Sequence, residues 1–314
     1  MTRTSFPTGF PNGVSLDGFP VNIPTAGNVY WVDSGDANAA NANEGTETFP
    51  LATINGGIKK CTASQGDIVF VKPGHTETLS DATSLKASIA GVAIIGLGRG
   101  TDRPTVTLDT ATSATIPVSA ANVSFQNIIF TANYADIAEL FTPTAANLAL
   151  IDCKFTATAT NMNFVEIADT NTTDNQCDGL TFVRCEWIEP DTATTSLVNV
   201  DADLDRLTVL DCYIDLGVNG VLSSIAEVVS GKDLTNVNIR RNYVSRLVTG
   251  SAVQLLTFAD TTTTNTGILE DNRCRTLDTA GELLITAGTN ISQYNNLSTS
   301  AVSVSGYLLP AADS

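Results

Sequence analysis

Six stretches of the chain can be written one beneath another: NVSFQNIIF from Asn122, NLALIDCKF from Asn147, GLTFVRCEW from Gly179, RLTVLDCYI from Arg206, NVNIRRNYV from Asn236 and TGILEDNRC from Thr266. Each alternates apolar and polar residues and then reaches an Asn or a Cys. That marker falls at Asn127, Cys153, Cys185, Cys212, Asn242 and Asn272, at intervals of 26, 32, 27, 30 and 30 residues. A period in this range is the signature of a solenoid, where no repeat can bury its apolar face alone. Between the markers recurs a second strand-like run: IAELF, FVEIAD, LVNVDAD, IAEVVSG, VQLLTFAD and GELLITAG. One repeat therefore carries at least two strands joined by polar turns.

Leucine-rich repeats would show a shorter, stricter Leu pattern, and propeller blades would need about 40 residues or more. A parallel β-helix fits, its coils stacked at the interstrand spacing of about 4.8 Å. Thr, Val, Ile, Asn and Gly recur in short runs, and 43% of the residues are hydrophobic, enough to fill a continuous core.

Stacking gives the marker column a role. An inward Asn can hydrogen-bond to its counterpart on the next coil, and Cys fills the same small space as a nearly apolar group. Cys153, Cys185 and Cys212 also admit a metal or redox reading, but thiols in a dry core without a neighbouring His favour packing. Just before the marker, Asp152, Arg184, Asp211, Arg241 and Asp271 alternate in sign, which suits an exposed ladder of paired charges and could also supply an acid and a base. A second polar column is expected at Glu139, Glu166, Asn199, Glu227, Gln254 and Glu282, facing solvent, a Ca²⁺ ion or a neighbouring subunit.

Ahead of the repeats, ATINGGIKKCTA places Ile54, Ile58 and Cys61 at the spacing of a short amphipathic helix that would cover the first coil. The order YWVDSG, FPLATINGGIKKC, GDIVFVKPGHTET resembles the N-terminal cap of the right-handed, pectate-lyase-like β-helix superfamily, where YVD, FATI with a helix, and GDTIYVAPGTYTE follow one another. The resemblance covers residues 29 to 80 closely and, through the repeats, extends to about residue 300. It implies an all-β, right-handed parallel β-helix with a short capping helix. Function stays open, because the superfamily includes lyases, hydrolases, bacteriophage tailspikes and non-enzymatic virion proteins. His75, the single histidine, falls in the turn where family members carry PGTYTE and is expected to be a turn residue. GLGRG, from Gly96, precedes a strand and not a helix, so it reads as a coil corner. DSGDANAANANEG, from Asp33, departs from EF-hand spacing and reads as a surface loop.

The expected organisation is an extended arm over 1–28, a cap over 29–65, the β-helix over 66–302 and a C-terminal tail over 303–314. In the arm, Phe-Pro and Phe-Pro-x-Gly motifs prevent regular structure and offer Phe6, Phe10 and Phe19 as anchors on a partner or sister subunit. Sixteen basic against 33 acidic residues give a net charge of −17, which opposes nucleic acid and anionic membranes as partners. Neither a signal-peptide pattern nor a membrane-spanning window is read, and six scattered cysteines fit neither a disulfide framework nor a zinc module. No cofactor is expected. The chain looks like the β-helical decoration or fibre proteins of bacteriophages, which implies a non-enzymatic virion protein, trimeric, docked on capsid or tail subunits. The alternative is a carbohydrate-active β-helix, a polysaccharide lyase or tailspike depolymerase, with Asp152, Arg184 and Asp211 as its groups.

Overall fold

Alternating runs form strands because every second side chain can be buried, and here the buried half of each run meets the runs one coil before and after it. The computed structural model describes residues 14–16, 19–21, 27–170, 173–188, 194–215, 224–246, 254–259, 264–276 and 290–299. Sheet one has ten strands, from Val29–Val32, Ile68–Val71 and Ala93–Gly96 through Ser124–Gln126 and Ala149–Ile151 to Asn290–Tyr294. Sheet two has nine, from Thr76–Leu79 to Leu297–Thr299, and sheet three has six, from Ile116–Val118 to Gln254–Phe258. A regular coil visits sheets one, two and three in turn, and all pairing within them is parallel and in register. Phe155, for instance, pairs with Phe130 on one side and Trp187 on the other. The chain is an all-β parallel β-solenoid with very little helix.

The interior is a stack of matching side chains. Phe130 and Phe155 lie with ring centroids 6.1 Å apart, and Phe130 meets Phe141 edge-on at 5.2 Å. Each fully buried ring of this kind contributes about 2–3 kcal/mol of burial.

Corners explain the recurring Asn and Gly. Between sheets one and two, one residue per coil adopts left-handed backbone: Asn127, Asp152, Arg184, Asp211, Arg241, Asp271 and Asn295, with φ between 50° and 56°. The residue after it turns inward. Asn and Asp tolerate this conformation, whereas an Arg there costs roughly 1–2 kcal/mol. The register corrects the marker column at its first row. Gln126 pairs with Ile151 and Ile129 with Lys154, so Asn127 stands beside Asp152 at the outward corner and Ile128 occupies the inward place beside Cys153. The same letter, Asn, suits both places for different reasons, which is why the sequence alignment slips by one. A second left-handed column, including Asn122, Asn147, Gly179, Arg206 and Asn236, enters sheet one. At Gly179 a Cβ would lie 2.2 Å from Asn147 Oδ1.

Among the described residues one α-helix, α1 (Ile54–Lys60), begins at Thr53, whose hydroxyl accepts from the Gly56 amide at 3.0 Å, and ends on Lys59 and Lys60, complementing its dipole. Ile54 and Ile58 are buried, and Gly57 lets the helix approach Val32 and Val69 closely. Ahead of it, Val14–Leu16 and Phe19–Val21 pair as an antiparallel hairpin. Phe6, Phe10, the GELLITAG run with Glu282, and the 303–314 tail lie outside the described residues. No described helix is long and apolar enough to cross a membrane.

Candidate functional site

Two surfaces gather polar chemistry: the corner between sheets one and two, and sheet three. At the corner, the inward places hold Cys153, Cys185 and Cys212 and then Asn242, Asn272 and Asn296, all buried. Asn242 Nδ2 donates to Asn272 Oδ1 at 2.9 Å and to the Val209 carbonyl at 2.8 Å, and Asn272 Nδ2 repeats the pattern with Asn296 Oδ1 and the Ile239 carbonyl. Asn242 Oδ1 takes the Cys212 amide at 2.8 Å, so the Asn ladder joins the Cys ladder directly. Asn296, the final rung, was not singled out in the sequence, although YNNL repeats the RNY and DNR pattern. Asn127 instead bends back from the outward place to the Gly96 and Gly98 carbonyls, at 2.7 and 3.1 Å.

The thiols are reduced and apolar in behaviour. Cys153 and Cys185 point at main-chain carbonyls of their own and the preceding coil, at 3.3–3.7 Å. Burial pushes the Cys153 thiol up to about 11 and the Cys185 thiol well above the ordinary range, so neither is a ready nucleophile or ligand. Among the described residues, no group of three or more His, Cys, Asp or Glu is arranged to hold a metal ion.

The outward places form clasped ion pairs. Arg184 donates to both oxygens of Asp152 at 2.7 and 2.8 Å, Arg241 to both of Asp211 at 2.7 and 2.9 Å, and Asn295 Nδ2 to Asp271 at 2.6 Å. The Arg241 guanidinium holds the Asp211 carboxyl below the usual range. Beside this ladder, on sheet two, Lys154 pairs with Glu186 at 3.1 Å, and Tyr213 stacks on Tyr243 with centroids 5.1 Å apart and planes within 7°. Two open hollows follow the corner. One, of about 430 Å³, is lined by Arg103, Asp152, Arg184, Asp211 and Tyr213, and the other, of about 400 Å³, by Arg241, Tyr243, Asp271 and Arg273. Tyr213 and Tyr243 cover one face of each other, and Asp152 with Arg184 and Asp211 with Arg241 are already paired. The Asp152, Arg184 and Asp211 triplet is thus an ion-pair run with no free acid or base.

Sheet three gathers carboxyl groups differently from the sequence expectation. Its register aligns Glu139, Glu166, Ser196, Ser224 and Gln254 in one column and Asp169, Asn199, Glu227 and Thr257 in another. The single column expected through Glu139, Glu166, Asn199 and Glu227 is two columns, because the backbone matches Ala168 with Val198, which sets Glu166 beside Ser196 and Asp169 beside Asn199. Glu166 is pushed up to about 8 by burial and then by Asp169; Asp169 is pushed up to about 7 by burial, Asp201 and Glu139; burial raises Glu139 too. Thr195 Oγ1 reaches Glu166 Oε1 at 3.3 Å, whereas Asp169 Oδ1 is buried without a partner. Carboxyls that keep a proton near neutral pH can act as general acids.

His75 is fully buried and bracketed. Its Nδ1 accepts from the Ser34 amide at 2.9 Å, and its Nε2 donates to Glu77 Oε2 at 3.3 Å, the tautomer this network requires. The same Glu77 oxygen takes the Ile54 amide at the start of α1. His75 ties a loop, a helix start and a strand together. The expected turn histidine is thus also a buried tie.

No family model and no curated protein matches the chain. Among solved structures, a pectin methylesterase from Aspergillus niger in deglycosylated form matches with a TM-score of 0.52 and 14% identity, over 91% of this chain and 90% of that one. A rhamnogalacturonan lyase matches with a TM-score of 0.48 and 14% identity over 79% and 74% of the two chains. ORF18 of Geobacillus virus E2 matches with a TM-score of 0.37 and 12% identity over 86% and 61%. The likeness to the esterase establishes the fold, a parallel β-solenoid. At 14% identity it carries nothing about chemistry.

Proposed function

We propose that the chain is a non-enzymatic structural protein of a bacteriophage virion, a capsid-decoration, head-fibre or tail-associated protein, docked through its N-terminal arm. The observation that carries this reading is the corner surface, where acid and base side chains clasp one another coil after coil and leave no converging free groups. A rigid rod with a neutralised, repetitive face suits a projecting body. In this reading α1 closes the first coil, the N-terminal arm engages a capsid or tail subunit, and three chains associate around one axis.

A second reading is favoured by the raised carboxyls of sheet three. Glu166 and Asp169 would supply the acid of a carbohydrate-active solenoid, and a pectin methylesterase shares the fold. The two readings separate in one experiment. Purified chain is incubated with a panel of polysaccharides, and reducing ends, unsaturated products and released methanol are followed, while an antibody against the chain probes purified particles. Detection in particles without product release supports the structural role; product release abolished by Glu166→Gln establishes the enzyme.

A further inference from the structure

Sheet one is apolar on both faces at its N-terminal end. Val69, Val71 and Ile94 point into the solenoid, whereas Ile68, Phe70, Ile95 and Leu97 form a separate cluster on the opposite face, flanked by Trp31 and Ala93. These outward side chains are as buried as the core, with Phe70 at 3% and Ile95 at 1% exposure, and Trp31 lies 5.3 Å from the Phe70 ring. Further along the same face, Gln126, Ile151, Val183 and Leu210 are only half-buried. All six members of the cluster come from the sheet itself or the residue after it, and a single layer cannot bury its own outer face.

The chain supplies a matching layer. In the N-terminal hairpin Val14 pairs with Val21 and Leu16 with Phe19, while Ser15 pairs with Pro20. In sequence, the paired runs VSL and FPV carry their apolar residues Val14, Leu16, Phe19 and Val21 at alternate positions. Five residues link Val21 to Gly27, a reach of up to about 20 Å. Their exit point is fixed, since a Cβ at Gly27 would lie 2.5 Å from the Asp67 amide nitrogen and the Asn28 amide donates to Asp67 Oδ1 at 2.6 Å. Asp67 immediately precedes Ile68, so the segment leaves the solenoid at the edge of the cluster.

We propose that residues 14–26 fold back on their own chain and seat the apolar face of the hairpin on Trp31, Ile68, Phe70, Ile95 and Leu97. The hairpin is then a fixed second layer on sheet one, and the free part of the arm is confined to residues 1–13, with Phe6 and Phe10. This does not depend on the virion reading, and its test uses no particles.

A photo-crosslinking phenylalanine analogue at position 70 of the full chain, in a mixture of ¹⁴N- and ¹⁵N-labelled protein, gives the readout. Cross-links from position 70 to residues 14–26 of the same isotope are expected. Mixed-isotope links would give the seat to a neighbouring copy's arm, and links elsewhere or none would remove the hairpin from it; either overturns the proposal. In parallel, Phe19→Ser is expected to raise hydroxyl-radical oxidation of Phe70 and Ile95 several-fold while the core Trp187 stays protected. Unchanged oxidation at Phe70 would also count against the seat. Because cross-linking keeps the hairpin unmutated, it remains decisive if Phe19→Ser fails to fold.

Discussion

Asn272 spends its whole hydrogen-bonding capacity at one corner. Its Oδ1 takes the amide and the Nδ2 of Asn242, and its Nδ2 gives to the Ile239 carbonyl and Asn296 Oδ1. Asn272→Ala strands these buried partners, at about 1–3 kcal/mol for a group left unsatisfied, so the urea midpoint is expected to fall clearly. The exposed rungs matter less. Asp152→Asn keeps a residue that tolerates the left-handed corner while removing the charge that Arg184 clasps, and is expected to cost no more than about 1 kcal/mol, fading in high salt. Thiol chemistry gives an independent check. With Cys153, Cys185 and Cys212 buried and reduced, a disulfide reagent should leave them unmodified in the native protein at pH 7 and titrate them once urea is added.

The element whose behaviour departs most from its letters is sheet three. Glu166 and Asp169 have folded values raised to about 8 and about 7, above their ordinary 4.5 and 3.8, so the folded state binds more protons than the unfolded chain between those limits. The penalty for ionising them is fully present above about pH 8, shrinks as the pH falls through 8 and 7, and is absent below about 4. Melting temperature is therefore expected to rise between pH 9 and pH 6, and Glu166→Gln with Asp169→Asn should flatten that rise. Strand positions were legible in the sequence because alternation is a local property. The corners were only half legible: Asn, Asp and Arg share a left-handed backbone there without sharing chemistry, which moved Asn127 one place out of register. The pairing of Glu166 with Ser196, the stacking of Tyr213 on Tyr243 and the burial that raises Asp169 depend on neighbours about thirty residues away. Letters aligned by type cannot supply them.

At the scale of the molecule, stacked coils give a body whose polar corners satisfy one another, and in the proposed role partners are met through the arm. Three copies of a 32.9 kDa chain are expected in light scattering of the purified protein, and a monomer would remove the threefold element of the proposed role. The proposed role rests most on the division between scaffold and docking arm. Its most direct measurement is co-sedimentation of purified particles with the full chain and with a chain lacking residues 1–13, far-UV circular dichroism checking that both are folded. The full chain is expected to pellet with particles and the shortened chain to stay in solution with its solenoid intact; equal pelleting of the two would contradict the proposed role.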